Sequence, residues 1–205
     1  MCGRYNLHQT ELLKNRFKAV NQISISPDYN RSPGTINPVI ISKLRENWIL
    51  GFEWGIPKQN QLIVNKRIES INQDLGLYKR CLVPINGYYE WKSYTTGKIP
   101  FYIFPKNENL ISLAGIYYKD SESDVSRYLI LTKPSNQKVE IIHSRMPIII
   151  PQNNENQWLN KNDNMDLNFY DIELEIIPVS KKVNNPQNSD ASCIKKSDEY
   201  QTFFN

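Results

Sequence analysis

The sequence predicts a single α+β domain, mainly antiparallel strands flanked by short helices. Three features predict it. Residues 82–91, 101–104, 110–118 and 128–132 are strand-like, and turn residues separate them at the spacing of an antiparallel meander. Helical periodicity is confined to short windows. A chain of 205 residues, 40% hydrophobic and 22% charged, has the composition of one soluble domain and buries roughly 70% of its unfolded surface.

In chain order, residues 10–20 read as a helix, because Leu13, Phe17 and Val20 fall on one face and Thr10 is suited to cap it. Pro27, Pro33, Gly34 and Pro38 break residues 21–38 into a loop. Residues 39–42 and 47–52 read as two strands around a charged turn, with a third short one at 62–64. Residues 68–78 are partly helical, weakened by Gly76. After the meander, residues 136–142 and 154–159 are short helices and 172–179 a late strand. Within one unit, 1–205, the core is expected over about 2–184, and the Asn-, Lys- and Ser-rich stretch 185–205 is expected to be loosely held.

Composition narrows the function classes. No apolar run approaches the roughly 18 residues of a membrane span, and the first residues lack a signal-peptide pattern. Cys2, Cys81 and Cys193 are odd in number and widely spaced, which excludes a complete disulfide framework and any CxxC metal knuckle. A cytoplasmic monomer without metal or cofactor is therefore expected. The formal charge of +4 permits a nucleic-acid partner without requiring one.

The chemistry begins at Met1-Cys2-Gly3-Arg4. Removal of Met1 by a methionine aminopeptidase is expected to leave Cys2 as the N-terminus. Its α-amine, with a pKa of roughly 7.7–8.0, and its thiol, near roughly 8.5, then sit on adjacent carbons. Such a pair captures an aldehyde twice, first as a Schiff base and then by closing a thiazolidine ring. Glu90 lies among Tyr88, Tyr89 and Trp91, where partial desolvation would raise its pKa toward acid–base use. His143 has apolar flanks and a side chain of the right acidity range for proton transfer. Asn65 and Arg67 share a face if their segment is extended, and Arg suits phosphate. Trp54 and the tyrosines suit base stacking. Taken singly, each of these residues reads at least as well as a core or surface residue.

Together and in this order they resemble one family, the SRAP (SOS response-associated peptidase) proteins, whose members recognise abasic sites in single-stranded DNA. The matching stretches are Met1-Cys2-Gly3-Arg4, Tyr29-Asn30 with Pro33, Trp54-Gly55-Ile56-Pro57, Asn65-Lys66-Arg67-Ile68-Glu69, Arg80-Cys81-Leu82-Val83-Pro84, Gly87-Tyr88-Tyr89-Glu90-Trp91, His143-Ser144-Arg145-Met146-Pro147 and Val183-Asn184. The chain departs at Arg31-Ser32, where the family has Ile-Ala, and at Lys58-Gln59-Asn60, where a further Trp is common. The resemblance implies a curved, barrel-like, mainly antiparallel sheet with a basic channel for single-stranded DNA, and a DNA–protein crosslink through Cys2. It implies that Asn65 holds Cys2, that Glu90 shuttles protons, and that His143 assists sugar ring opening. It places Gly3, Arg4, Asn30, Pro33, Trp54, Arg67 and Arg145 against DNA: the arginines on phosphates, Trp54 and Pro33 at a kink. It also implies association with the nucleoid when DNA is bound, and links the family to peptidase-like and lyase-like activity.

Two other classes compete. An N-terminal-nucleophile hydrolase of the class II glutamine amidotransferase type also begins Met-Cys-Gly, with Asn86-Gly87 as an oxyanion donor. A non-catalytic single-strand-binding module would hold intact and abasic DNA alike.

Overall fold

Residues 2–73, 77–119, 125–160 and 172–197 are described by a computed structural model. Strand β1 (Tyr5–Leu7) leads through a 3₁₀ turn into α1 (Leu13–Arg16), followed by β2 (Asp28–Arg31), β3 (Ile36–Lys43) and β4 (Glu46–Trp54). The short strands β5 (Ile56–Lys58), β6 (Gln61–Ile63) and β7 (Asn65–Arg67) precede a 3₁₀ helix over Ile68–Gln73. Then come β8 (Lys79–Ile85), β9 (Gly87–Tyr94), β10 (Gly97–Pro105), β11 (Ile111–Lys119) and β12 (Ser126–Pro134). Helix α2 (Gln137–Glu140), β13 (Arg145–Pro147), β14 (Ile149–Ile150), α3 (Glu155–Asn160) and β15 (Leu174–Pro178) complete the order, with 3₁₀ turns at Lys181–Asn184 and Ala191–Ile194.

The strands form two main sheets. One is antiparallel throughout, in the order β15-β10-β9-β1-β2. The other runs β13-β12-β4-β3-β8-β11-β14, and β11 also pairs β12, so the pairings β12-β4-β3-β8-β11 close on themselves. It is mixed, because β12 runs parallel to both β4 and β7. Inward residues of both sheets, among them Tyr5, Tyr88, Val39, Leu82, Leu113 and Ile130, share one apolar core.

The expected meander is split between the sheets. Residues 82–91 are two strands, not one: the chain leaves β8 at Ile85 and enters the other sheet at Gly87. Asn86 makes the switch. Its Oδ1 accepts from the backbone N–H of His8 at 2.8 Å, and its Nδ2 donates to Gln9 Oε1 at 2.7 Å and to the Asn109 carbonyl. At Gly87 a Cβ would stand 2.6 Å from the Tyr102 ring, so the close approach of β10 requires glycine. Hydrophobic alternation marks each strand but says nothing of which sheet it joins.

The first helix is shorter than its periodicity suggests. It ends at Arg16, and Lys18 takes a positive φ of 49°. Leu13 and Phe17 are buried as expected, whereas Val20 is exposed, and no side chain caps the opening turn at Gln9, so Thr10 is not the cap. The loop over 21–38 contains β2 and the start of β3. Residues 185–197 are not loose: Cys193 is buried with Tyr89, Tyr102, Val179 and Val183, and Ser189 O accepts from Tyr29 N at 3.1 Å. The expectation for residues 198–205 lies outside the described residues, as does Gly76.

The ends of the fold are tied by a buried charge pair. Arg16 on α1 donates two 2.8 Å bonds to the Glu155 carboxylate on α3, and Ser112 on β11 adds a third at 2.6 Å. Glu155→Ala leaves the arginine charge without its partner and is expected to cost about 2–3 kcal/mol in urea unfolding. The double variant Arg16→Met, Glu155→Leu is expected to recover most of that loss, since no charge then remains buried.

Candidate functional site

Cys2 is sealed inside the protein, with no exposed surface. The ladder between β1 and β9 pairs Tyr5 with Tyr88 and extends to Arg4, whose carbonyl accepts from Tyr89 N at 3.0 Å. This carries the N-terminal segment, with half-buried Gly3, alongside β9 as far as Glu90. Asn65 reaches across from β7 and donates from Nδ2 to the Cys2 carbonyl at 2.8 Å. The parallel register of β7 on β12, Asn65 opposite Ile130, puts it there. Asn65 Oδ1 is buried and accepts no hydrogen bond among the described residues. An acceptor beside the Cys2 backbone is what an N-terminal amine needs.

Glu90 is 2% exposed. Burial raises its carboxyl pKa, opposed by the positive amino terminus and by His143. The Cys2 thiol is raised as well, first by burial and then by the neighbouring Glu90 charge. The thiol is therefore held in its protonated form, with a weak 3.9 Å contact to the Arg4 carbonyl.

His143 follows α2, where Asn136 caps the helix through Val139 N at 3.0 Å and the His143 N–H bonds back to the Val139 carbonyl. Its Nδ1 accepts from Arg145 N at 2.9 Å, which assigns the ring proton of the neutral form to Nε2. Cys2, Asn65, Glu90 and His143 thus converge from the N-terminal segment, β7, β9 and the turn after α2. Asn65 is linked to Cys2 by its hydrogen bond, Glu90 to Cys2 by charge, and His143 to Glu90 by charge.

The residues expected against DNA divide. Arg67 is exposed, and Pro33 is half-exposed in the turn before Gly34. Trp54 has no exposed surface: its Nε1 donates to the Val64 carbonyl at 3.0 Å, and its ring lies between Tyr5 and Tyr128 at centroid distances of 5.1 and 6.2 Å. It cannot stack on a base without leaving the core. Asn30 is 1% exposed, and its amide is spent on Arg4 and on the carbonyls of Val183, Asn185 and Asn188. Arg4 Nη1 is held by Asn30 Oδ1 at 2.8 Å and Val183 O at 2.9 Å. Arg145 is gripped by both oxygens of Glu69 and by the Thr132 carbonyl. Trp54 and Asn30 are thus buried in the fold, and Arg4 and Arg145, half-buried, each have bonds to the protein's own acceptors.

Sequence reasoning overlooked Glu69 and Thr132 as partners of this site; Glu69 stands in the matched Asn65–Glu69 stretch but was given no role. Trp91, beside Glu90, donates from Nε1 to Asn184 Oδ1 at 2.7 Å, fastening the C-terminal segment next to the site. Cys81 is a buried structural thiol, also pushed up by desolvation. Among the described residues no three His, Cys, Asp or Glu side chains gather to hold a metal ion.

The Glu90 shift fixes a pH dependence of stability. A carboxyl whose folded pKa is raised binds more protons in the native state than in the unfolded one. Its contribution is complete below the unfolded pKa and is lost as pH rises through the folded value. Glu90→Gln, which stays neutral, is expected to match the wild type near pH 4 and to melt higher at pH 8. Each kcal/mol corresponds to about 2–4 °C at this size. Parallel melting curves from pH 4 to 8.5 would contradict this.

The family model described as SOS response associated peptidase (SRAP) matches residues 1–186. Abasic site processing protein YoqW of Bacillus subtilis (strain 168) is 31% identical, the match covering 95% of this chain and 99% of that one. Abasic site processing protein HMCES of Xenopus tropicalis is 26% identical over 82% of this chain and 65% of its own. Among solved structures, a protein from Bacteroides thetaiotaomicron superposes with a TM-score of 0.78 at 23% identity, covering 96% of this chain and 100% of that one. One from Bordetella bronchiseptica gives 0.73 at 19% identity, covering 87% and 100%. The chain belongs to the SOS response-associated peptidase (SRAP) family.

Proposed function

We propose that the protein processes abasic sites in single-stranded DNA by forming a covalent thiazolidine through Cys2 once Met1 is removed. The observation that carries the reading is Cys2 buried beside Glu90, with Asn65 donating to its carbonyl and offering an Oδ1 acceptor that has no partner among the described residues. The names of the relatives, abasic site processing proteins, point to the same lesion.

The residues assign an order to the steps. The thiol is held protonated, so the neutral Cys2 amine attacks first, adding to the aldehyde carbon of the ring-opened abasic sugar. Glu90, its carboxyl pKa raised by burial, donates its proton as the hydroxyl of the carbinolamine departs as water, leaving a protonated imine and the Glu90 carboxylate. The carboxylate then takes the thiol proton as the sulfur adds to the iminium carbon, which restores Glu90 and closes the five-membered ring as a neutral thiazolidine. Aldehyde and aminothiol become thiazolidine and one water. His143, its neutral ring protonated at Nε2, serves as a hydrogen-bond donor to the sugar oxygens during ring opening. Arg67 contacts a flanking phosphate, giving salt-sensitive binding with little sequence preference. An abasic nucleotide is already unstacked, so drawing it into the site costs little.

The amidotransferase reading needs Asn86 as an oxyanion donor. That amide is committed to Gln9 and Asn109 in the turn between the sheets.

The test uses protein whose loss of Met1 is confirmed by intact mass, mixed with a single-stranded oligonucleotide carrying one abasic site and run on a denaturing gel. A shifted band that needs no borohydride is expected, absent for Cys2→Ala and formed about 10²–10⁴-fold more slowly by Glu90→Ala. If Cys2→Ala shifts the band like wild type, the mechanism is wrong; glutaminase activity would favour the amidotransferase instead. In the same system Arg67→Ala is expected to weaken binding of intact single strands and to reduce the salt slope by about one.

A further inference from the structure

Glu69 stands outside the catalytic constellation yet is bonded to it. Its two carboxylate oxygens take the Nη1 and Nη2 groups of Arg145 at 2.5 and 2.9 Å, and Arg145 Nη2 also reaches the Thr132 carbonyl at 2.6 Å. The Arg145 side chain is only 12% exposed, whereas that of Glu69 is 52% exposed. This geometry braces the guanidinium from within the protein. The brace fastens the residue whose backbone governs His143. Nδ1 of that ring faces the Arg145 N–H at 2.9 Å and the Arg145 carbonyl at 3.1 Å. The neutral ring accepts from the former, and a protonated ring donates to the latter. One peptide position thus supports both protonation states, provided it is held still. Thr132, on the same brace, lies opposite Arg67 in the pairing of β12 with β7, the strand that carries Asn65. The arm holding the nucleophile and the arm holding the imidazole are therefore tied together.

We propose that Glu69, acting through Arg145, is a positioning residue that fixes the tautomer and pose of the His143 ring. The kinetic consequence rests on the crosslinking reading; the state of the ring does not, and is measurable in the free protein.

The chain has two histidines, so ¹⁵N-histidine NMR reads His143 directly once His8→Gln assigns the other signal. In the neutral range the wild type is expected to show the Nε2–H tautomer, and Glu69→Gln a mixture of both. Glu69→Gln is also expected to slow crosslinking at least about tenfold, the scale felt when an imidazole's outer partner is lost at metal-bound histidines. Its affinity for an intact single strand is expected to stay unchanged. In an Arg145→Lys background the second substitution should add nothing further, because the two residues act as one unit. An unchanged tautomer in Glu69→Gln overturns the proposal, whatever the rate. So does a change in affinity for intact strands with the tautomer preserved, which would make the carboxylate part of the DNA surface. If the tautomer shifts but wild-type protein forms no crosslink, the positioning stands and the crosslinking reading falls.

Discussion

The hydrogen bond from Asn65 to the Cys2 carbonyl is the constraint around which the rest is arranged. Chain termini ordinarily fray, because a terminal residue has few contacts to offset its backbone entropy. Here the second residue is fully buried. The chain achieves this with pairing on both sides of β1, against β2 and β9, and with the Arg4 carbonyl continuing the β9 ladder. Arg4 then anchors the segment laterally: its guanidinium grips Asn30 and the Val183 carbonyl, so residues from three distant parts of the chain converge just beyond the nucleophile. The packing of residues 185–197 belongs to the same arrangement, since Asn30 spends its amide on carbonyls of that segment.

Burial has electrostatic consequences that the chemistry uses. Removing water disfavours charge on both the Cys2 thiol and the Glu90 carboxyl, and the proximity of the two adds to the penalty on the thiolate. A buried, protonated thiol is a poor opening nucleophile. Under the proposed function the Cys2 amine released by loss of Met1 finds an acceptor in Asn65 Oδ1. The same desolvation that delays the sulfur raises the Glu90 carboxyl and suits it to donate a proton as water leaves. In the proposed reaction the order of bond formation thus follows from the dielectric of the site, and exposing Cys2 to solvent would blur it.

How much of this was legible in the sequence depended on the range of each interaction. The strands, the short helices near 137–140 and 155–160, and the desolvation of Glu90 among its aromatic neighbours follow from local pattern. Asn86 does not: its role is to close a turn with Gln9 and Asn109 at the switch between sheets, and without that partner set the run 82–91 reads as one strand. Trp54 sits in a Gly-flanked motif that suits a stacking platform as well as a core; only the placement of Tyr5 and Tyr128 decides it. Arg4, Asn30 and Arg145 read as DNA contacts because basic and polar residues beside a nucleophile suggest phosphate. Their partners within the fold lie 26, 179 and 76 residues away, and no local pattern encodes such pairings.

The internal bonds of Arg4 and Arg145 bear on the salt dependence of DNA binding. An arginine already gripped by a carboxylate or by backbone carbonyls releases few counterions when a phosphate approaches, so it contributes little to the salt dependence of affinity. Arg67, exposed on the strand that carries Asn65, is placed differently. Two residues apart on extended β7, Asn65 and Arg67 lie on the same face, so under the proposed function one holds Cys2 while the other, at the exposed end of the strand, meets a phosphate. Under the proposed function, arginines that steady the Cys2 segment and the His143 turn serve the covalent step, and the thiazolidine itself then holds the protein at the lesion.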